Sequence, residues 1–366
     1  MPRFHLNLRM RVKALQDAGH HVSVLALRSL NGLEDYDVVS PYVVEEGCVS
    51  QAIRHIFSNV FGREFTEKIM YIWSVPRIRS VIYFLQKVRP DMIFVRGQKN
   101  MFTVTMSFSA RLLCRNVYLL AQTERYCGDT LSKRVTLFVL KYIIRVRGII
   151  SPLENICSQA HSLYVYIPFA TSVPERIRYI SKSGPLRILA VGKFQKRKDF
   201  LLLLRAYKEL LVRYDITLTL VGSSYDEEYE HEIVEYIREH IPSDAVSVLR
   251  DVPHVDMEEI FLQHDIFVLP SYAEPAAYTP LEAMAHGLPV IVSDTCGTKC
   301  YIEEGENGYI FKSKDVISLK RALEQCLGNR QHCVNMGRCA RKKAETHHTT
   351  TVFAKHIEVV VCERNI

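Results

Sequence analysis

The sequence predicts an α/β protein built from two doubly wound domains. Three observations predict it. Apolar runs of four to six residues alternate with longer helical patterns along all 366 residues. The runs are almost continuously apolar, the mark of strands buried on both faces of a parallel sheet covered by helices. The charge balance also changes sign midway. Residues 1–180 carry 24 Lys and Arg against 13 Asp and Glu, residues 181–366 carry 23 against 27, and the two halves stand at +11 and −4.

Taken in order, “LNLRMRVKALQDAGHHVSVLAL” reads as a helix stopped by Gly19 and then a strand over Val22–Leu27. A doubly wound domain usually begins with a central strand and a glycine-bearing loop, so the first strand is expected to be missing here and the reading frame to begin late. Met92–Val95 and Asn116–Ala121 read as further strands of this half. Leu131–Ile150 is apolar but carries Lys133, Arg134, Lys141, Arg145 and Arg147. It reads equally as a core-facing helix with a basic outer face or as a segment lying on a membrane surface. “SVPERIRYISKSGP” (Ser172–Pro185) is polar and holds two prolines and a glycine where the charge balance changes, which makes it the domain boundary. Beyond it, Arg187–Gly192, Thr217–Gly222, Asp265–Pro270 and Pro289–Asp294 read as buried strands. The organisation is then an N-terminal domain over residues 1–180, a second domain over 181–345 and a closing segment, 346–366.

Composition excludes several classes. No run of about 18 uncharged apolar residues exists, so a transmembrane helix is not expected. The start, “MPRFHLNLRMR”, is charged and interrupted, unlike a secretory leader. Ten scattered cysteines without a CxxC pair read as reduced thiols in a cytoplasmic protein. The basic first half is compatible with peripheral contact at the inner membrane face or with a phosphate-bearing substrate, and a solvated basic face is an equal reading. Nucleic acid is not an expected partner.

The chemistry concentrates in “EPAAYTPLEAMAHGLPVIVSD” (Glu274–Asp294). Ser271–Tyr278 reads as a loop after a strand, and Thr279-Pro280-Leu281-Glu282 as a capping box with proline at the first helical position. Glu274 then lies beyond a strand's carboxyl end, where ligands of open α/β sheets bind, and Glu282 in the first turn of the next helix. A carboxylate accepts hydrogen bonds from sugar hydroxyls in pairs. One acid can hold a ribose and the other a hexose, with a diphosphate between them on the helix start. Taken alone, Glu282 is as well explained as a cap and Glu274 as a loop charge. “VGKFQKRKDF” shifts that balance by placing Lys193, Lys196, Arg197 and Lys198 at a strand-to-helix turn on the same sheet edge, able to neutralise a diphosphate. Gly222, at another strand end, lets a ligand approach the backbone closely.

The stretches “GKFQKRK”, “LVGSS”, “DIFVLPSYAEP”, “LEAMAHGLPVIVSD” and “EEGENGYIF” stand in a familiar order and spacing. From about Leu186 to Ser318 the chain resembles the donor-binding half of retaining GT-B glycosyltransferases of family 4 (glycosyl transferases group 1). The first half is similar mostly in the order of its elements. The resemblance implies a GT-B fold, two Rossmann-like domains facing a cleft, with the closing segment crossing back to the first domain. It implies transfer of a sugar from a nucleotide sugar to a glycan or lipid-linked acceptor, with retention and without a metal or other cofactor.

Residue by residue, the resemblance gives Glu274 the donor sugar, Glu282 the donor ribose and Lys198 the diphosphate. Lys193 stands where the family usually has arginine and joins Glu274 and Lys198 as a catalytic candidate. Gly192, Gly222, Tyr278, Thr279, Pro280 and Leu281 complete the expected donor site. Ala277 replaces a frequent glycine, and Asn307-Gly308 matches a structural turn. Acceptor-side candidates are Arg96, Gln98, Gln122 and Arg125 near strand ends. Gln122 stands nearest to a position often held by histidine. The pair Asp35 and Asp37, of a kind that holds metal in another transferase fold, reads as a solvated loop. The departures at Lys193 and Ala277, with the missing strand, keep a catalytically silent subunit open. A nucleotide-sugar epimerase on the same fold is the other alternative.

Overall fold

The computed structural model describes residues 4–27, 42–44, 76–96, 101–122, 131–154, 163–176 and 184–364. The chain divides into two compact units. One comprises Phe169–Val352, and the other comprises Pro2–Pro168 with Phe353–Ile366.

In the basic unit, α1 (Phe4–Asp17) ends before Gly19, whose φ of +86° suits only a residue without a side chain. Strand β1 (Leu25–Leu27) is shorter than its apolar run, because only these residues pair with β2 (Tyr42–Val44). The helix α2 (Ile78–Val88) precedes β3 (Ile93–Arg96). Next come α3 (Met101–Leu113), β4 (Val117–Leu120) and α4 (Leu131–Phe138). The latter runs on through a π-helical turn, Val139–Ile144. Strands β3, β4, β5 (Gly148–Ser151) and β6 (Tyr164–Tyr166) pair in parallel in that order. The stretch Leu131–Ile150 is therefore not one helix, as its apolar pattern suggests. Arg145 takes the left-handed conformation (φ 58°) and ends the helix, and Gly148 opens a fully buried strand.

In the other unit, six parallel strands form one sheet: β7 (Leu186–Val191), β8 (Ile216–Gly222), β9 (Val246–Arg250), β10 (Ile266–Leu269), β11 (Val290–Ser293) and β12 (Gly308–Phe311). Their order is β12-β11-β10-β7-β8-β9. Relabelled from the unit's first strand, this is 6-5-4-1-2-3, the doubly wound dinucleotide-fold order. Its switch point lies between β7 and β10. Helices α5 (Phe200–Leu210), α6 (Glu227–His240), α7 (Met257–Leu262), α8 (Thr279–Ala285), α9 (Val316–Leu327) and α10 (Arg330–His347) connect the strands and close the unit, and α11 (Thr350–Arg364) follows. The apolar face of α5 buries Leu203, Tyr207 and Leu210 against this sheet and α9. Each fully buried leucine contributes roughly 1.5–3 kcal/mol. Strand β9 escapes a search for continuous apolar runs because only Val246 along it is buried.

Two polar devices hold this unit. At the amino ends of β7 and β10, Asp265 is 1% exposed and accepts from the backbone N–H of Arg187 at 2.8 Å and from its Nε at 3.0 Å. This buried clamp fixes the register of the two strands that flank the switch point. The strap Phe169–Thr171 is tied by three groups: Tyr301 Oη accepts from the Phe169 amide, Tyr278 Oη donates to Ala170 O, and the His348 ring bonds Phe169 O at 3.0 Å.

Burial drives the His348 pKa down to about 4, with the carbonyl of Phe169 opposing that shift. An unfolded histidine titrates near 6.5. Between these values the unfolded chain holds the extra proton, so stability is lost as pH falls from about 6.5 to 4. Thermal melts should lose about 1.4 kcal/mol per pH unit from this group across that window. His348→Gln should flatten the slope by one proton. An unchanged slope in the variant would locate the titration elsewhere.

Candidate active site

The switch point brings together side chains far apart in the chain. The turn after β7 carries Lys193–Lys198, and the loop after β10 carries Glu274. Because β7 and β10 are neighbours, the two loops leave the same sheet edge side by side. The first loop is anchored from below. Phe194 is fully buried, packs edge-on against Phe200 at 5.5 Å, and exchanges backbone bonds with Ser223 and Asp226. A 3-10 turn over Lys196–Lys198 follows, and its carbonyl at Arg197 accepts from the Tyr272 amide at 3.0 Å. That bond ties the two loops together directly.

On this frame, Glu274 Oε2 accepts from Lys198 Nζ at 2.5 Å and from Arg197 Nη1 at 2.5 Å. Glu274 and Lys198 are both buried, with 7% and 9% exposure. Burial alone would raise the carboxyl pKa, but the charges and hydrogen bonds of Lys198 and Arg197 outweigh it and hold it below the usual value. The carboxylate is thus ionised at neutral pH. The backbone of Glu274 is fixed too: it bridges to Cys296, and its carbonyl accepts from Gly297 N at 2.8 Å. Arg197 is held on its other side. With its amide oxygen facing the guanidinium, Gln195 accepts from Arg197 Nε and Nη2 at 3.1 Å each.

The other expected residues are distributed around this triad. Lys193 is not part of it, since its Nζ lies 4.7 Å from the centroid of Tyr225. Gly192 packs on the Lys198 stem, where an added Cβ would come within 3.3 Å of Cδ. A Cβ on Gly222 would lie 2.3 Å from Gly192 O, so the close approach at Gly222 is made by the neighbouring loop. Glu282 meets a residue that sequence reasoning passed over: its Oε1 is 3.2 Å from His254 Nε2. His254 leaves β9 just before α7.

The start of α8 corrects one expectation. Thr279 is the first helical residue rather than the cap, Tyr278 precedes it in helical conformation, and no side chain caps the helix. The capping box is therefore not formed. Pro280 has no N–H, and the Leu281 N–H donates to Tyr278 O at 3.0 Å. Of the expected donor-site residues Tyr278–Leu281, Pro280 therefore offers no N–H and the Leu281 N–H is already engaged within the helix start. The Tyr278 hydroxyl is turned to the strap, and its ring packs edge-on against Phe169.

Ser271, three residues before Glu274, is fully buried, and its hydroxyl has no hydrogen-bond partner among the described residues. Buried orphan hydroxyls are uncommon. The “PS” at the end of a strand was the only signal for it. Asn307 is buried, bonds Tyr301 O and the Glu303 amide, and shapes the turn before β12.

Among the acceptor-side candidates, Arg96 ends β3 and is exposed, and Gln122 is half-buried just past β4. The two strands are paired, with Arg96 opposite Leu120. Gln98 and Arg125 lie outside the described residues, as do Asp35 and Asp37. Among the described residues, no group of three or more His, Cys, Asp and Glu side chains is placed to hold a metal.

Comparison with known proteins bears on this arrangement. Residues 175–343 match the family model of glycosyl transferases group 1. Spore coat protein SA of Bacillus subtilis (strain 168) is 25% identical over 346 residues, which cover 90% of this chain and 86% of that protein. Glycogen synthase of Mycobacterium tuberculosis is 25% identical over 177 residues, 48% of this chain and 40% of its own length. Among solved structures, Anabaena HepE in complex with UDP and glucose superposes with a TM-score of 0.72 at 15% identity, over 98% of this chain and 95% of that one. Sucrose-phosphate synthase of Thermosynechococcus elongatus gives 0.70 at 17% identity, over 98% and 92%. The chain therefore has the GT-B glycosyltransferase fold, and its second half matches glycosyl transferases group 1.

Proposed function

We propose that the chain is a retaining glycosyltransferase of family 4 that moves a hexose from a nucleoside diphosphate sugar to an acceptor hydroxyl. The observation that carries it is the convergence of Glu274, Lys198 and Arg197 at the sheet's switch point. A buried, ionised carboxylate beside two cations can bind a neutral polyol and an anion at once. In this reading Glu274 orients the sugar, and Glu282, steadied by His254, holds the ribose diol. Lys198 and Arg197 stabilise the departing diphosphate. Arg197 supplies the guanidinium that the family places at Lys193, and Lys193 remains an outer cation. The bond from the anomeric carbon to the diphosphate oxygen breaks while the bond to the acceptor oxygen forms on the same face. The acceptor proton passes to the leaving diphosphate. The protein's share is charge stabilisation and positioning. With two cations facing the diphosphate, no divalent metal is required.

HepE was crystallised with UDP and glucose, and this supports a uridine diphosphate donor here. The acceptor in this reading is a growing polysaccharide or glycolipid at the inner membrane face. No helix of the described residues is long and apolar enough to cross a membrane.

The test is incubation of the full chain with radiolabelled UDP-, GDP- and ADP-sugars, with and without EDTA. One donor should be slowly hydrolysed in the absence of acceptor, equally with chelator. Binding of a nucleotide without any turnover would indicate a silent subunit. Interconversion of the sugar would indicate an epimerase.

A further inference from the structure

The basic unit presents an apolar surface that the proposed reaction does not use. On α3, Val104, Phe108 and Leu112 recur every four residues, and all three are exposed. On α4 and its π-helical turn, Val135, Phe138 and Tyr142 form a second exposed stripe, with Ile143 beside it. The two helices are neighbours: Arg111 Nε donates to Arg145 O at 3.2 Å. Phe108, Leu112, Val135, Phe138, Tyr142 and Ile143 are each more than half exposed. Six such side chains on two adjoining helices exceed the scattered apolar exposure of an ordinary surface.

The charges on these helices are of one sign. Residues 101–115 and 131–147 hold seven Lys and Arg and no Asp or Glu. The cations flank the apolar stripes: Arg111 follows Phe108, Arg134 precedes Val135, and Lys141 adjoins Tyr142. The Lys141 ammonium sits 5.4 Å from the Tyr142 ring centroid, and the Phe138 and Tyr142 rings pack tilted at 41° with their centroids 5.0 Å apart. Rings beside long cationic side chains suit the boundary between headgroups and acyl chains, where the ring enters the apolar layer and the cation stays with phosphate.

A partner protein with an acidic face would match the cations but would leave the aromatic stripe to be covered by apolar surface of its own. An anionic bilayer satisfies both at once. We infer that the face formed by α3, α4 and the π-helical turn docks the chain on an anionic lipid bilayer. This docking does not depend on which sugar is transferred.

Vesicle flotation tests it with the full-length protein. Vesicles of phosphatidylcholine alone are compared with vesicles containing phosphatidylglycerol, at low and high salt. The protein should float with the anionic vesicles, and less so at high salt, because exposed charges are screened. The double variant Phe138→Ser/Tyr142→Ser should lower partitioning at least tenfold, and Arg134→Glu/Lys141→Glu should abolish it. Donor hydrolysis in solution should be unchanged in both, which also shows that they fold. The inference is overturned by absence of flotation with anionic vesicles, or by undiminished flotation of Phe138→Ser/Tyr142→Ser. It is equally overturned if the wild type self-associates in solution and that variant is monomeric, which would make the face an interface between copies. Loss of donor hydrolysis in the wild type, with flotation intact, would touch only the transferase reading.

Discussion

Lys198→Ala is expected to lower the rate of sugar transfer about 10²–10³-fold, the usual cost of removing one preorganised charge donor from a developing anion. That range corresponds to about 2.7–4 kcal/mol of transition-state stabilisation. The geometry supports a loss of this size. Lys198 is buried at the switch point, its stem packs on Gly192, and its ammonium is fixed on Glu274 at 2.5 Å. A charge held in place in a protected site needs no reorganisation when the diphosphate departs. Folding is a separate question, since removing one member of a buried pair generally destabilises by about 3–5 kcal/mol. Here Arg197 still neutralises Glu274, so the variant should stay folded, as circular dichroism would show. Lys198→Arg should recover part of the rate, because the charge returns while the geometry differs. Glu274→Ala makes the complementary measurement. It removes the group proposed to touch the sugar, so turnover should fall much further than affinity for the free nucleotide. Calorimetry showing equal losses would move Glu274 away from the sugar, and near-normal turnover of Lys198→Ala would remove Lys198 from the leaving group.

What the residues declare in one dimension differs sharply between the two sides of this site. Lys198 and Glu274 were legible because each follows an apolar run that can only be a buried strand. Residues just past such strands share one edge of a parallel sheet. The identity of the adjacent pair was not legible. It depends on β10 lying beside β7, although β8 and β9 intervene in the chain. Contacts made by crossing the sheet were also hidden. His254 leaves the edge strand β9, yet its ring reaches Glu282 on α8. Strand β9 gave no continuous apolar signal, because an edge strand need not bury both faces. The strand β5 was masked differently. Its apolar residues follow those of a helix with only Arg145, Val146 and Arg147 between them, so periodicity alone ran the two together. The helix start at Tyr278 shows a third limit. A Thr-x-x-Glu pattern is compatible with a cap at Thr279, but the aromatic contact of Tyr278 with Phe169 and its bond to Ala170 fix the turn one residue earlier.

Among the four cations after β7, side-chain direction decides function, and a 3-10 turn sets that direction in a way spacing does not reveal. Arg197→Ala is therefore expected to slow transfer about 10²-fold, whereas Lys193→Ala should change it by no more than about threefold. Arg197 is braced by Gln195 on one side and bonded to Glu274 on the other, so its guanidinium has little rotational freedom left to lose on binding a diphosphate. Lys193 spends its charge on the Tyr225 ring, an interaction worth about 0.5–1 kcal/mol at an exposed site. The conservative variant Arg197→Lys separates charge from shape. It should retain a fraction of the activity while failing to bind Gln195 and Glu274 together, since an ammonium lacks the planar fork. Gln195→Ala should then weaken wild-type activity but leave Arg197→Lys unaffected, because a brace matters only to the group it braces. The readout is the rate with saturating donor, compared with nucleotide affinity measured on the same samples. A larger loss at Lys193 than at Arg197 would return the leaving-group role to the residue at the end of β7. A Gln195 effect of equal size in both backgrounds would mean that the glutamine acts on the loop and not on the guanidinium.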